Sequence, residues 1–400
     1  MARIVVCGYM IRHPLAGNLF AFFHYVLGLH LLGHEVLYLE ESGWSGSCYN
    51  PINRSYSDDP SFGIDAVQTL INTYGVNATV CYVNRDTGTV YGADWQELKR
   101  MLKTADLLLN IGGVCWLREF LLCKRRILID MDPFFTQTGT FAAEGRNDYH
   151  AYFSYGANIG KPDCRIPSDG IEWLPTVPPV VPEIWHQVLA PEDCGKKRVD
   201  IPLTTVANWN AYGGMIYQGE HYGQKNEEFM RLLELPSYCA QKLELALSGK
   251  DTEIAEITKS LATAGWLVRD ARVLSANVST YINYLTTSRG EFSVAKNAYV
   301  KTRSGWFSDR SVCYLAASRP VILQDTGFSD WLPTGQGVLA FSSLESAVDC
   351  IERVNADYQM HCLAAREIAE QNFSYKVVLP RLLETGRVKT IQNSKFKVQN

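Results

Sequence analysis

Several things that would identify a function are missing from this sequence. The 11 cysteines form no Cys-x-x-Cys pair and no His/Cys cluster at zinc spacing. They read as reduced thiols of a cytoplasmic protein. Lys and Arg number 38 against 42 Asp and Glu, for a net charge of -4. That balance excludes a broad polyanion-binding face, so no nucleic-acid partner is expected, although a local basic patch can still hold one diphosphate. No apolar run reaches the ~20 residues of a membrane span, and Arg3 to Met10 does not read as a secretory signal. After Cys7 the chain reads Gly8-Tyr-Met-Ile-Arg-His, without the further glycines of a dinucleotide fingerprint, which argues against a dehydrogenase. Internal repeats and low-complexity segments are absent too.

What is present is a 400-residue chain, 46% hydrophobic and 20% charged, sized for two globular domains. Arg3–Cys7 is a β-branched strand, Gly8 to Asn18 a loop holding His13, and Leu19 to Leu32 an apolar helix carrying His24 and His30. That helix is read as core, with a membrane-docking face as the alternative. Gly33 ends it, and His34–Leu39 is the next strand, so the chain opens with a βαβ unit. Strands follow at Ala78–Val83, Leu107–Ile111 and Arg126–Ile129, with a helix at Trp95–Lys103. Lys161 to Glu192 holds seven prolines from Pro162 to Pro191 and fits neither a long helix nor a central strand. It reads as a packed connection, since Trp173 and Trp185 need burial. A second alternating region starts near Asp200. Its strands are expected at Ile201–Ala207, Leu243–Leu247, Gly290–Val294, Val321–Gln324 and Gly337–Ala340. Its helices are expected at Asn226–Leu233, Thr252–Ala264, Ser308–Ala317, Leu344–Asn355 and Tyr358–Gln371.

In open α/β sheets, ligands bind beyond the carboxyl ends of the strands. The densest such region is Ser304-Gly-Trp-Phe-Ser308-Asp309-Arg310-Ser311, running through Arg319-Pro320 to Asp325-Thr326-Gly327-Phe328. Ser308 or Asp309 caps a helix whose first N–H groups, beside the guanidinium of Arg310, suit a diphosphate. The competing reading is a plain cap with Arg310 on a solvated face.

This block resembles the donor-domain signature of bacterial GT-B glycosyltransferases, in which a polar turn opens a helix that ends in small residues, a proline and a strand. The sequel Gly335-Gln-Gly337-Val-Leu-Ala-Phe341, with Leu344 to Ile351, is similar to the same signature, and Leu31-Leu32-Gly33-His34-Glu35-Val36 to the acceptor domain's. Dense similarity is confined to residues 304–355. The resemblance implies two Rossmann-like doubly wound domains facing each other across a cleft. Residues 1–165 would bind the acceptor, 166–199 connect, 200–371 bind the donor, and 372–400 return to the first domain. It also implies sugar transfer from a UDP-, dTDP- or GDP-linked donor without a cofactor. A catalytically silent homologue that acts as a binding or partner subunit is the alternative.

The resemblance points to His13 as general base, where a loop hydrogen-bonding role is equally open, with Asp130 or Asp132 to orient it. The implied donor-binding residues are Gly223, Lys225, Arg269, Ser308, Asp309, Arg310, Ser311, Asp325, Thr326 and Gly327. Lys225 and Arg310 would meet the diphosphate charge; Arg269 stands where the base is held, though it is also an ordinary strand-edge residue. Asp325 to Gly327 would touch sugar hydroxyls unless they only turn the chain. The sequence departs from the retaining branch, which carries two glutamates eight positions apart: Asp309 leads to Ala317 and Glu291 to Tyr299. That favours inversion. The one Asp-x-Asp, Asp130-Met-Asp132, runs into Pro133 in the first domain and is read as an acceptor-side loop, so no metal site is expected.

Overall fold

Strand β1 (Arg3–Cys7) forms because an uninterrupted β-branched run buries both faces, and only its first residue reaches solvent. Helix α1 (Ala16–Leu31) follows, then β2 (Glu35–Glu41), paired parallel to β1. The computed structural model describes residues 1–139, 147–168, 170–185 and 198–388. By internal packing the chain divides into two units. The first comprises Met1–Tyr155, Ser168–Val181 and the chain from Ser374; the second comprises Gly156–Pro167 and Pro182–Phe373.

The first unit continues with α2 (Ser61–Thr73), β3 (Ala78–Val83), α3 (Trp95–Thr104), β4 (Leu107–Ile111), β5 (Arg126–Asp130), β6 (Ala151–Ser154) and β7 (Trp173–Pro175). The sheet order is β7-β6-β5-β4-β1-β2-β3, with the short strand Val90–Tyr91 antiparallel at the outer edge of β3. Order reverses between β4 and β1, so the loop after β1 opens at the topological switch point. Ser168–Val181 of the proline-rich stretch packs in this unit and supplies β7, an edge strand, where a missing N–H costs no ladder bond. Pro191 and the rest of 186–197 lie outside the described residues.

Helix α1 is a core element. Twelve of its residues are buried, and the helix Tyr375–Thr385 crosses it at Gly28, where a Cβ would stand 2.7 Å from Leu379 Cδ1 and 2.8 Å from Tyr375 Cβ. Glycine is what lets the two backbones approach. No helix among the described residues is long and apolar enough to cross a membrane.

The second unit contains β8 (Leu203–Asn208), α4 (Lys225–Arg231), β9 (Leu243–Ser248), α5 (Asp251–Thr263) and β10 (Leu267–Asp270). Then come α6 (Val278–Thr287), β11 (Gly290–Ser293), α7 (Asp309–Ala316), β12 (Val321–Gln324), β13 (Val338–Phe341), α8 (Leu344–Ala356) and α9 (Tyr358–Ile368). All six strands are parallel in the order β10-β9-β8-β11-β12-β13, again with a switch point, here between β8 and β11. Stacked rings fill the core, Trp209 on Phe229 at 5.9 Å and Phe292 on Phe341 at 5.1 Å. Residues 156–167, of which 156–165 were expected in the first domain and 166–167 in the connection, pack in this unit. Asn158 Nδ2 donates to the carbonyls of Gly327 at 2.9 Å and Arg303 at 3.2 Å, and Arg165 N to Thr302 O at 2.9 Å.

Candidate functional site

Strands β8 and β11 pair only at Leu203–Gly290 and Thr204–Glu291, then diverge toward their carboxyl ends. The side chain of Arg310 fills that divergence. Its Nε donates to Glu291 Oε1 at 2.6 Å, one terminal nitrogen to Val206 O at 2.7 Å, and the other to Ser293 Oγ at 3.0 Å. The guanidinium thus bridges the switch point and is not on a solvated face. Burial opposes its charge, and Glu291 together with Tyr281 and Tyr314 more than offsets this. Two of its five N–H hydrogens remain beyond those three bonds.

Arg310 reaches this position because α7 starts one residue earlier. Ser308 is extended (φ -79°, ψ 137°) and caps the helix, its Oγ accepting from Arg310 N at 3.2 Å. Asp309 follows in the first turn and accepts a long bond from Ser308 Oγ at 3.4 Å. Ser311 is buried, and its Oγ has no hydrogen-bond partner among the described residues. Glu291 Oε2 is likewise buried without one. A narrow crevice opens between the ends of β11 and β12, lined by Ser293, Ser308, Arg310, Ser311, Gln324 and Thr326 among others. Four of the residues expected to bind a donor, Ser308, Arg310, Ser311 and Thr326, therefore share one crevice at a helix N-terminus.

Lys225 is the first residue of α4, half-buried, and its side chain has no ion pair or hydrogen bond among the described residues. Burial, reinforced by the nearby charge of Arg310, brings its pKa down to about 7. The base of α4 is fixed by a polar cluster that sequence reasoning missed. Buried Glu228 accepts from Asn297 Nδ2 at 2.7 Å and Gln324 Nε2 at 2.6 Å, and Asn297 Oδ1 accepts from Gly223 N at 3.1 Å. A Cβ at Gly223 would displace the Glu227 carboxylate.

Thr326 and the remaining donor-side candidates also make local contacts of their own. Asp325 closes its own turn, accepting from Gly327 N at 2.8 Å and Ser329 Oγ at 2.6 Å. Thr326 Oγ1 donates to Trp306 O at 2.7 Å. Gly327 holds φ +87°, a left-handed turn that a Cβ would jam 2.7 Å from Asn158 Nδ2. Arg269 lies on edge strand β10 with Nε 3.0 Å from Glu244 Oε2, and it does not line the crevice.

In the first unit, the loop after β1 is clamped by one buried carboxylate. Glu40 accepts from the backbone N–H of Ile11 and of Arg12 (2.8 Å each), from Arg12 Nε at 3.1 Å and from Tyr38 Oη at 2.6 Å. His13 is held in that loop between rings, 5.9 Å from Tyr9 and 5.1 Å from Tyr49. Burial brings its pKa down to about 4 rather than leaving it near 6.5. Asp130 does not orient it. The Asp130 oxygens accept from Asp132 N (2.8 Å), Thr136 Oγ1 (2.6 Å), Gln137 Nε2 (2.9 Å) and Ser154 Oγ (2.6 Å), which uses their lone pairs locally. The expected His13–Asp130 pair is thus corrected: Asp130 organises the end of β5. The neighbouring backbone N–H of Asp132 donates to it. Among the described residues, no group of three or more His, Cys, Asp or Glu is arranged to hold a metal ion.

No protein-family model matches the sequence, and no curated protein does either. Solved structures match along nearly the whole chain. An α-glucosyltransferase in complex with UDP superposes with a TM-score of 0.59 at 11% identity, over 97% of this chain and 100% of that one. HepE of Anabaena, in complex with UDP and glucose, gives 0.55 at 12% identity over 96% and 99%. AviGT4, a glycosyltransferase of avilamycin A biosynthesis, gives 0.54 at 13% identity over 97% of each chain. At such identities the likeness is one of fold, and the fold of this chain is the GT-B fold of nucleotide-sugar-dependent glycosyltransferases.

Proposed function

We propose that this chain transfers a sugar from a nucleoside-diphosphate sugar to an acceptor hydroxyl, with the second unit holding the donor and the first the acceptor. The observation that carries the reading is the crevice at the switch point of the second sheet. There a helix N-terminus, the guanidinium of Arg310 and the hydroxyl of Ser311, which has no partner among the described residues, meet, and the amine of Lys225 is near enough to feel the charge of Arg310. That set suits an anion, and a diphosphate most of all. Structures of the same fold with UDP in place support the same reading.

In the reaction, the acceptor oxygen bonds to the anomeric carbon while the bond from that carbon to the diphosphate breaks. The nucleoside diphosphate leaves with the electron pair, and its charge is met by Lys225, Arg310 and the start of α7. His13 takes the acceptor proton in an inverting, metal-independent displacement. A neutral imidazole at physiological pH is competent to accept it, although a pKa near 4 makes it a weak base. That same low pKa, with no carboxylate hydrogen-bonded to the ring, favours a second reading. In it His13 only hydrogen-bonds a sugar or acceptor hydroxyl and the anomeric configuration is retained.

Incubation with UDP-, dTDP- and GDP-linked sugars tests the proposal. One donor should release its nucleoside diphosphate, slowly by hydrolysis and faster with an acceptor. Proton NMR of the transferred anomeric centre then separates inversion from retention. No release from any donor would contradict transfer and favour a non-catalytic binding subunit.

A further inference from the structure

The aromatic rings around His13 form a continuous line out of the first unit. Tyr9 stacks on His13 (5.9 Å, 16°), His13 meets Tyr49 (5.1 Å), and Tyr49 meets Tyr56 (4.9 Å). At the other end the Arg12 guanidinium lies over Tyr9 at 4.5 Å and 6.0 Å from the ring of Trp44. The inner rings are covered, with Tyr49 8% exposed, while the two ends are open, Trp44 and Tyr56 being 58% exposed each. The line joins two segments that follow neighbouring strands, the loop after β1 and the hairpin Cys48–Asn50/Ser55–Ser57 beyond β2. Ligands bind at such carboxyl ends, and this one adjoins the switch point.

The support beneath the rings is rigid. Arg12 O accepts from Tyr49 N at 2.8 Å, tying hairpin to loop. Glu40 fixes Arg12 from below, and the Asp58 carboxylate binds Gly46 N and Ser45 Oγ, tying the Trp44 segment to the hairpin's end. Large apolar rings held open by a buried ion pair and main-chain bonds cost hydrophobic free energy, and a ligand that covers them recovers it.

We infer that Tyr56 and Trp44 are stacking platforms for sugar rings of a saccharide acceptor whose reacting hydroxyl lies toward His13. This rests on the proposed transferase activity. The surroundings select a saccharide over a flat aromatic aglycone. Residues 52–59 are all exposed, and Asn53, Ser55, Ser57 and Asp58 alternate polar groups around Tyr56. A sugar presents axial C–H bonds to a ring face and equatorial hydroxyls to polar neighbours at once. An aromatic aglycone is better served by an enclosed apolar slot than by rings set among exposed polar groups.

The test uses the full chain with maltohexaose, cellohexaose and chitohexaose, against p-nitrophenol and 2-naphthol. Saturation-transfer-difference NMR reads contact, and titration reads affinity, for the wild type and for Trp44→Ala, Tyr56→Ala and the double variant. We expect one oligosaccharide to bind with saturation concentrated on its ring C–H protons. The double variant should lose at least tenfold in affinity while its melting temperature and its stabilisation by UDP, dTDP or GDP stay as in wild type. Binding that ignores both substitutions overturns the inference, as does silence across the saccharides. Preference for the phenols overturns it in favour of an aromatic acceptor. Because the nucleotide response reads the second unit, failure of the platform and failure of the transferase reading give different patterns.

Discussion

Glu291 Oε1 accepts the Arg310 Nε–H at 2.6 Å, with the carboxylate wholly buried and the guanidinium nearly so. One strand and one helix N-terminus are thereby locked together where β8 and β11 separate. Removing the anion alone strands a buried cation, which typically costs about 3–5 kcal/mol. Glu291→Ala should therefore lower unfolding stability in urea by that order, and Glu291→Gln, which keeps an acceptor, by less. A loss for Glu291→Ala below about 1 kcal/mol would show the pair to be dispensable.

Lys225 supplies a pH signature. With its pKa lowered to about 7, it loses its proton in the free protein as pH rises through neutrality. In the unfolded chain it holds the proton up to about 10.4. The unfolded state therefore binds more protons between those values, and this group's contribution makes stability rise with pH across that window. Affinity for a nucleoside diphosphate should move the other way, weakening from pH 7 to 9 as the cation is lost. Lys225→Met should bind weakly and lose that pH dependence. Isothermal titration at pH 6.5, 7.5 and 8.5 reads both.

Two buried imidazoles contribute to the acid limit. Burial brings His13 to about 4 and His24, whose Nδ1 accepts from Val181 N at 3.2 Å, to about 3. Their folded pKa values lie below the unfolded 6.5. The unfolded state thus gains protons first as pH falls, and stability declines from about pH 6.5 downward. The loss is up to about 1.4 kcal/mol per pH unit for each group. Urea midpoints at pH 7, 5.5 and 4.5 should fall progressively, and less steeply in His24→Gln. If His13 is the base, kcat/KM should keep its basic-form activity well below pH 6; an acid limb near 6.5 would contradict the burial of its ring.

Much of this was legible in the chain. Runs such as Arg3–Cys7, Ala78–Val83, Leu107–Ile111 and Val321–Gln324 show as strands at their observed bounds because their apolar residues are continuous and end in turn residues. Ser308 announces a helix start for the same kind of local reason. Trp173 was hidden among prolines, because an edge strand tolerates them and only the neighbouring Tyr152 makes it one. Partners far apart in sequence are the hardest to read. Glu291 lies 19 residues from Arg310, and the signal was a carboxylate in an otherwise apolar strand, which must find a cation. The expected Asp130–His13 pair failed because Thr136, Gln137 and Ser154 satisfy that carboxylate first, and nothing local to Asp130 foretells Ser154.

Gly327 and Gly213 separate two costs of a side chain. Both hold positive φ, +87° and +79°, but a Cβ at Gly213 meets nothing within 4 Å. Gly213→Ala should cost only the left-handed backbone, about 1–2 kcal/mol. Gly327→Ala adds the 2.7 Å contact with Asn158 Nδ2 and should cost more. Paired denaturation curves check the order, and equal losses would mean that Asn158 yields freely.

The central claim is that the second unit holds a nucleoside diphosphate, and a thermal-shift panel of UDP, dTDP, GDP, CDP, ADP and NAD(H), with and without magnesium, tests it directly. A ligand that binds only the folded chain must raise its melting temperature. The account predicts stabilisation by one of UDP, dTDP or GDP without magnesium, lost in Lys225→Met. Stabilisation by NAD(H) alone, or by no member of the panel, would contradict it.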